Sequence, residues 1–194
     1  QGPAQKDPAA RERFLPIMLE QARRMSNLVE DLLSLSRIEL DEHAPPQGEA
    51  DMVALAERVA GSLELRARQK GMAVEIARDA PHLPVVGDSD QLTQVVQNLV
   101  DNAIKYGRPG TAIEIAVRRK STCGPGRRGR PGIALSVTDR GEGIDRAHIP
   151  RLTERFYRVD TARSREMGGT GLGLAIVKHI VSRHRGSLDV DSEV

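Results

Sequence analysis

One predicted helix carries a row of polar side chains that a helix with a single buried face does not need. The segment QNLVDNAIKYG, residues 97–107, places Asn98, Asn102 and Lys105 at i, i+4 and i+7, so the three side chains share one helix face. A second stripe on this helix is apolar and is an adequate core face; its members are Leu92, Val96, Leu99 and Ala103. The polar row is therefore left for another purpose.

Two amides and one ammonium on one helix face suit a magnesium–nucleotide complex. Mg²⁺ prefers few protein oxygens and several phosphate or water oxygens, and Asn102 offers a neutral amide oxygen as a ligand. Lys105 can reach a phosphate as a point charge, Asn98 would orient the water shell of the metal, and Tyr106 can flank a base. Any one of these residues alone could be a polar side chain that faces solvent, but the shared stripe favours a binding site.

A carboxylate at the end of a predicted strand offers a contact for the base. The segment DRGEGI, residues 139–144, begins with Asp139 and continues with Gly141 and Gly143. A strand-end aspartate can accept a hydrogen bond from an exocyclic amine, and glycines let the backbone pass close to a flat ring. An ordinary turn explains the same segment, so both interpretations stay open at this point.

A glycine cluster, GGTGLGL at residues 168–174, opens a predicted helix. Glycines let backbone N–H groups approach a ligand closely, and a helix N-terminus favours negative charge, so a phosphate is the natural ligand. The dinucleotide pattern G-x-G-x-x-G is not matched, because Gly169, Gly171 and Gly173 run G-x-G-x-G, and the Gly-Lys-Ser/Thr ending of a P-loop is absent. A glycine-rich loop without a ligand is the alternative.

The pattern along the chain predicts one long helix followed by a mixed α and β domain. The long helix runs from Pro8 to about Leu40, with Pro16 expected to kink or delay it, and residues 42–50 read as a linker. Near-heptad apolar spacing in this helix favours a helical hairpin or a bundle between two chains over a helix packed on its own domain. The stripe consists of Phe14, Met18, Met25, Leu28, Leu32 and Leu35.

Helix caps and alternating residues delimit the elements of the second part. Asp51 is expected to cap a helix that runs through Lys70 and is closed by Gly71, and Asp88 with Gln91 resembles a capping box. Strands are predicted at residues 72–78, 111–119 and 132–140, with a further helix at 171–185. Residues 80–88 read as a turn, and the arginine-rich tip at 120–132 reads as a solvated loop rather than an anion site.

Composition excludes several classes of function. Aromatic residues make up 2% of the 194 residues and the formal charge is +2, which disfavours nucleic acid as a partner. The single cysteine, Cys123, excludes a disulfide framework and a cysteine-rich zinc site and fits a reducing cytosol. No apolar run approaches the roughly 18 residues of a membrane span, so no direct membrane insertion is expected.

Four segments in order resemble the N, G1, F and G2 boxes of bacterial sensor histidine kinases. They are NLVDNAIKYG, DRGEGI, FYRVD (residues 156–160) and GGTGLGLAIVKHI (residues 168–180). Upstream, QARRMSNLVEDLLSLSRIE resembles the second helix of the dimerisation and phosphotransfer hairpin, as found in phosphate-regulon-type (PhoR-like) sensors. The resemblance implies a Bergerat-type α+β fold, a two-layer sandwich in which a mixed sheet carries helices on one face. Residues 1–44 would be a partial dimerisation and histidine-phosphotransfer region, and residues 45–194 the ATP-binding domain.

The resemblance assigns a role to each residue of the boxes. Asn102 would be the Mg²⁺ ligand with Asn98 in support, and Lys105 would contact phosphate. The adenine would be held by Tyr106, Asp139, Gly141 and Gly143, and the phosphates by Gly169, Gly171, Gly173 and Leu174. Arg158 and Arg165 lie in the lid segment and would stabilise charge on the transferring phosphoryl group.

The implied activity is transfer of the ATP γ-phosphate to a histidine, for relay to the receiver domain of a response regulator. None of the five histidines stands before an Arg-Thr-Pro segment, so the chain is expected to be a fragment that lacks the acceptor helix and a last strand. The intact protein would be a homodimer through the long helix, and this chain the cytoplasmic portion of an inner-membrane sensor. The alternatives are a nucleotide-binding regulatory module or a serine-directed kinase of the anti-sigma-factor type.

Overall fold

The computed structural model describes residues 8–40, 44–121, 131–159 and 169–194, with the side chains described from residue 12 onward. These residues form four α-helices and five strands, and a short 3₁₀ helix follows the last strand. In chain order the elements are α1 Pro8–Leu40, β1 Glu49–Asp51, α2 Met52–Gln69, β2 Ala73–Arg78, β3 Pro84–Val86, α3 Ser89–Tyr106, β4 Ala112–Lys120, β5 Gly132–Thr138, the 3₁₀ helix Ile149–Arg151 and α4 Gly173–Arg183.

Three strands form a mixed sheet with β4 in the middle. The strand β2 runs parallel to β4, and β5 runs antiparallel to it on the other side. The register pairs Ile76 with Ile115 and Ile115 with Val137, so apolar side chains line up on one face of the sheet. The mixed sheet predicted from the sequence is confirmed.

The helices α2 and α3 cover that apolar face and complete the main core. Side chains of both helices are buried together with the strand residues, whereas Glu75 and Glu114, which alternate with the apolar positions, are exposed. The largest fully buried members of this core are Leu55, Leu83, Ile113, Ile115, Val53, Val96, Val100 and Val117. A two-layer sandwich with helices on one face of the sheet is therefore confirmed.

Two aspartates cap the helices as expected, but the second motif is not a reciprocal capping box. The carboxylate of Asp51 accepts a hydrogen bond from Val53 N–H, and that of Asp88 accepts from the N–H groups of Asp90 and Gln91. The backbone N–H of Asp88 donates instead to His184 Nε2 at 3.0 Å, at the end of α4. The cap thereby ties the start of α3 to the end of α4.

Two short strands were not predicted. The strands β1 and β3 pair antiparallel, with Ala50 opposite Val85, in the segments read from sequence as a linker and a turn. Three-residue strands are too short to show an alternating pattern, and the proline that opens β3 is tolerated only at the start or edge of a strand. Another difference is that α4 begins at Gly173 rather than at Gly171, which has a positive φ of 77°.

The long helix α1 runs without interruption through Pro16, so the expected delay is wrong. Pro16 has no N–H to donate to the carbonyl group of Glu12, four residues earlier. Glu12 is exposed, so water can solvate this carbonyl group instead. Near the other end of α1, Leu35 and Ile38 are buried against α4, forming a second core. The N-terminal part of the heptad stripe, including Phe14 and Met18, is exposed. No helix in the described part of the chain combines the length and apolar character needed to cross a bilayer.

The Asp51 cap leads to the prediction that mutation of Asp51 lowers the free energy of unfolding by an amount that depends on pH. Hydrogen bonds from Leu83 N–H and His82 lower the pKa of Asp51 from its ordinary 3.8 to about 2. Its stabilising contribution is therefore present above about pH 4 and is lost as the pH falls toward 2. Replacing Asp51 with alanine should reduce the free energy of unfolding by about 1 kcal/mol near neutral pH, as measured by urea denaturation.

The matched control is Glu49→Ala, which removes an exposed carboxylate from the same strand. The free energy of unfolding of this control should stay within about 0.5 kcal/mol of the parental value. The difference between the parent and Asp51→Ala should shrink as the pH is lowered from about 5 to 3. A difference that stays constant over this interval would contradict the role given to the ionised carboxylate.

Candidate nucleotide-binding site

Helix α3 packs into two cores, and its polar row lies beside the packed faces. Val96 and Val100 face the main core, while Val95 and Leu99 pack into the second core beneath α4. The sequence showed one apolar stripe on this helix, and the structure shows two. The polar residues Asn98, Asn102 and Lys105 are half-buried on the neighbouring face, next to the stripe that packs beneath α4.

The C-terminal end of α3 meets the loop that begins with Asp139. Gly107, directly after the helix, pairs with Gly141 in an isolated antiparallel bridge. Asp139 Oδ1 accepts a hydrogen bond from Gly141 N–H at 2.8 Å, which holds the carboxylate beside this bridge. A β-carbon on Gly141 would lie 2.8 Å from the carbonyl oxygen of Tyr106, so only glycine permits this approach. Asp139, Gly141 and Tyr106 are thus brought together.

Gly143 faces the C-terminal segment of the chain. Its φ is 78°, and a β-carbon there would clash with the backbone of Glu193. The next residue, Ile144, donates its N–H to Ser192 Oγ at 2.9 Å. Packing of the C-terminal segment is therefore the contact that the structure gives for Gly143, in addition to the base-binding role predicted for it.

The start of α4 lies directly against the polar row of α3. A β-carbon on Gly173 would lie 3.4 Å from Asn98 Oδ1, at van der Waals contact, so the two helices adjoin at this point. Asn98 Nδ2 is buried and has no hydrogen-bond partner among the described residues. A buried unsatisfied donor costs free energy unless a ligand or water accepts from it. Leu174 is half-buried in the first turn of α4.

The segment containing Phe156 is joined to the glycine segment by backbone hydrogen bonds. Phe156 has a φ of 62° and donates its N–H to Gly171 O at 2.9 Å. The guanidinium of Arg158 donates to Gly169 O, which places this predicted lid arginine beside the glycines. Arg165, the other predicted lid arginine, lies outside the described residues.

Asp31, an acidic residue of α1, contacts the glycine segment, and the sequence analysis did not predict this contact. Thr170 Oγ1 donates to Asp31 Oδ2 at 2.6 Å and accepts weakly from Leu172 N–H at 3.3 Å. Burial raises the pKa of Asp31, while the hydrogen bond from Thr170 and the charge of Lys105 oppose this effect. The available signal was spacing: Asp31 occupies the same helix face as the apolar Leu35 and Ile38.

The four motifs therefore form one continuous arrangement around α3. The Asp139 loop touches the end of α3, α4 begins against Asn98, and the Phe156 segment is bonded to the glycines before α4. No cluster of three or more His, Cys, Asp or Glu side chains that could hold a metal occurs in the described ranges. A metal here would draw on the Asn102 amide, phosphate and water, which is the ligand set that Mg²⁺ favours.

Comparison with known proteins identifies the family. Residues 87–194 match the family described as histidine kinase-, DNA gyrase B-, and HSP90-like ATPase. The chain belongs to this ATPase family. The phosphate regulon sensor protein PhoR of Pseudomonas aeruginosa is 40% identical over 181 residues, covering 93% of the chain and 38% of the relative. The chain spans less than half the length of the curated relatives it matches, 46% and 38% for two of them.

Solved histidine kinases share the fold of this ATPase-family chain. ShkA in complex with AMPPNP has a TM-score of 0.68 at 24% identity, covering 89% of this chain and 34% of that one. ThkA in complex with the response regulator TrrA has a TM-score of 0.66 at 20% identity, covering 93% and 47% of the two chains. The Bergerat-type fold is therefore confirmed. The predicted resemblance to sensor histidine kinases is confirmed by the sensor-like histidine kinase SenX3 of Mycolicibacterium smegmatis, which is 38% identical over 188 residues, covering 96% of the chain and 46% of the relative.

The contact between Gly171 and Phe156 generates a prediction about this ATPase site. A β-carbon on Gly171 would lie 3.0 Å from Phe156 Cα, on a backbone whose φ is 77°. Gly171→Ala should therefore lower the free energy of unfolding by about 1–2 kcal/mol and weaken nucleotide binding. Urea denaturation and titration with a fluorescent ATP analogue measure the two effects.

Gly110→Ala is the matched control, because Gly110 has a φ of 82° but open space around its missing β-carbon. It should show a similar loss of stability without any loss of nucleotide affinity. If both variants weakened nucleotide binding equally, backbone strain alone would account for the result and the local contact would be irrelevant.

Proposed function

We propose that the chain is the ATP-binding catalytic portion of a two-component sensor histidine kinase. In this proposal the γ-phosphate of ATP passes to a histidine outside the sequence and from there to an aspartate of a response regulator. The observation that supports it most is the junction at α3, where the Asp139 loop, the glycine segment and the polar row adjoin one another. The relationship to PhoR, a sensor protein, supports the same assignment.

The polar row of α3 is proposed to hold the phosphates and Mg²⁺. Asn102 would supply an amide oxygen to the metal, which when bound neutralises charge on the phosphate oxygens. The unpartnered Asn98 Nδ2 supports this role, since a phosphate oxygen or a metal-bound water would satisfy it. Lys105, half-buried at the end of the row, would bind a phosphate as a point charge.

The adenine is proposed to bind where the Asp139 loop meets the end of α3. Gly141 N–H occupies Asp139 Oδ1, and Oδ2 would accept a hydrogen bond from the exocyclic amine. Tyr106 is 45% exposed beside this carboxylate, and its ring would flank the base. Gly141 and Gly143 would let the backbone approach the flat ring.

The glycine segment and the start of α4 are proposed to surround the phosphates. Gly169, Gly171 and Gly173 would expose backbone N–H groups, and the positive end of the α4 dipole would face the negative charge, with Leu174 in the first turn. Arg158, bonded to Gly169 O, is near enough to this segment to contact a phosphoryl group when it changes partner. Arg165 is proposed to act alongside it.

The partners are proposed from the relatives and from the surface of α1. ThkA, which has the same fold, forms a complex with a response regulator, so a receiver domain is the proposed protein partner. The exposed apolar stripe of α1 would form a homodimer in the intact protein, with residues 1–44 as the dimerisation part and 45–194 as the ATP-binding domain. The chain would then lie in the cytoplasm, beside the membrane portion of its sensor.

The alternative functions are a regulatory nucleotide-binding module and a serine-directed kinase. The long helix α1 favours the histidine kinase, because it resembles the second helix of the phosphotransfer hairpin. The chemistry of the phosphorylated product separates the alternatives. A phosphohistidine is acid-labile and base-stable, whereas a serine ester is base-labile.

The assignment predicts transfer of label from ATP to a supplied acceptor. The chain is incubated with labelled ATP, Mg²⁺ and a polypeptide that carries the histidine-bearing first helix of a related hairpin. Acid-labile, base-stable label should appear on the acceptor, and Asn102→Ala should reduce the rate by on the order of 100-fold because the metal ligand is lost.

Gln97→Ala is the matched control, since Gln97 is exposed on the same helix. This variant should transfer label at the parental rate, and all three proteins should have similar unfolding midpoints. Base-labile label would assign the serine kinase instead. Unchanged transfer by Asn102→Ala would remove the metal-binding role from that residue.

The proposed base contact predicts a change in nucleotide preference. Asp139→Asn replaces an acceptor with a side chain that can also donate to the carbonyl oxygen of guanine. The ratio of ATP to GTP affinity should therefore fall by about 10-fold, consistent with the loss of one hydrogen bond to a charged group. Competition of each nucleotide against a fluorescent ATP analogue measures the ratio.

Asp145→Asn, which alters an exposed aspartate six residues further along, is the control and should keep the parental ratio. If Asp139→Asn also retained the preference for adenine, the base would have to bind elsewhere in the protein.

A further inference from the structure

The carboxylate of Asp31 lies where the proposed function places a phosphate. This residue belongs to α1, yet its Oδ2 atom accepts a 2.6 Å hydrogen bond from Thr170, inside the glycine segment. The charge of Lys105 acts on the same carboxylate. The Thr170 hydroxyl, which lies between the glycines proposed to surround the phosphates, is thus already bonded to an anion from the chain itself. Lys105, which is proposed to bind a phosphate, acts on the same anion through its charge.

The third feature of this place is the N-terminus of α4. The N-cap residue of α4 is Leu172, whose side chain makes no capping hydrogen bond. The backbone N–H of Leu172 donates to Thr170 Oγ1 at 3.3 Å. Because Thr170 donates to Asp31, the carboxylate is linked through this hydroxyl to the positive end of the helix. A cation, a hydroxyl donor and a helix N-terminus together are the groups by which proteins bind phosphate.

The electrostatic state of Asp31 agrees with an anion held in a phosphate site. Burial raises the pKa of this carboxyl, and the groups that oppose the rise are the Thr170 hydroxyl and Lys105. Exposed Glu30, the preceding residue, raises the pKa further. Burial therefore makes the ionised carboxylate costly, and the groups that offset this cost are ones that could otherwise serve a ligand.

We propose that Asp31 is an internal competitor of the nucleotide phosphates, so that docking of α1 on the start of α4 and occupancy of the ATP site oppose each other. The proposal rests on the proposed function, because it concerns the same phosphate-binding groups. Lys105 and Thr170 serve either the Asp31 carboxylate or a phosphate, and two anions crowded at this place repel each other.

The remaining α1 contacts hold the helix in its docked position. Leu35 and Ile38 are buried beneath α4, Ser34 Oγ donates to the side-chain oxygen of Gln94 at 3.0 Å, and Glu39 pairs with Arg155. A nucleotide that displaces Asp31 weakens the docking of α1. By linkage, docking of α1 weakens nucleotide binding by the same factor. A signal that moves α1 would therefore set the affinity of the site for ATP.

The test is nucleotide affinity after removal of the Asp31 charge. Asp31→Asn keeps an oxygen that can accept from Thr170 but removes the negative charge that competes with phosphate. Binding of AMPPNP with Mg²⁺ to the chain, measured by isothermal titration calorimetry, should become tighter by about 5-fold or more. Adenosine, which lacks phosphates, should bind the parent and the variant equally.

Glu20→Gln is the control, because it removes one exposed negative charge from the same helix about 16 Å along its axis from Asp31. Equal tightening by both variants would mean a general charge effect, and it would overturn the proposal. Parental affinity in Asp31→Asn would overturn it as well. If the parent and both variants all failed to bind AMPPNP, the proposed function itself would be wrong, and the inference would fall with it.

Discussion

The two-sided burial of α3 is the constraint on which the rest of the site depends. One side of the helix completes the core over the sheet, and the other supports α4 and the end of α1. A helix fixed on both sides cannot rotate, so Asn98, Asn102 and Lys105 have one direction left to face. The cost of holding two amides and an ammonium half-buried is offset by the apolar burial on either side of them.

Missing β-carbons bring the other motifs to this helix. Gly107 and Gly141 let the Asp139 loop pair with the end of α3. Gly171 does the same for the backbone of Phe156. A side chain at any of these glycine positions would push apart backbone segments that carry the polar groups of the proposed site. The glycines therefore determine distances within the site as well as backbone conformation.

The sequence predicted what depends on neighbouring residues and missed what depends on distant ones. Local patterns revealed the caps at Asp51 and Asp88, the strands of the mixed sheet and the polar row of α3. The resemblance to sensor histidine kinases then related these elements to a known fold. The hydrogen bond between Asp31 and Thr170 joins residues 139 positions apart. The bond from Asp88 to His184 spans 96 positions, and the pairing of β1 with β3 involves only three residues of each strand. Nothing in local spacing specifies such pairs, because they form only after the helices have packed.

The docking of α1 is balanced between apolar burial and the cost of a buried carboxylate. Leu35 and Ile38 together contribute about 3–6 kcal/mol by leaving water. Desolvation of the half-buried Asp31 carboxylate opposes this contribution, and the hydroxyl of Thr170 and the charge of Lys105 offset part of the cost. A phosphate that takes Thr170 from Asp31 removes one of the groups that offset this cost, and this favours release of the helix.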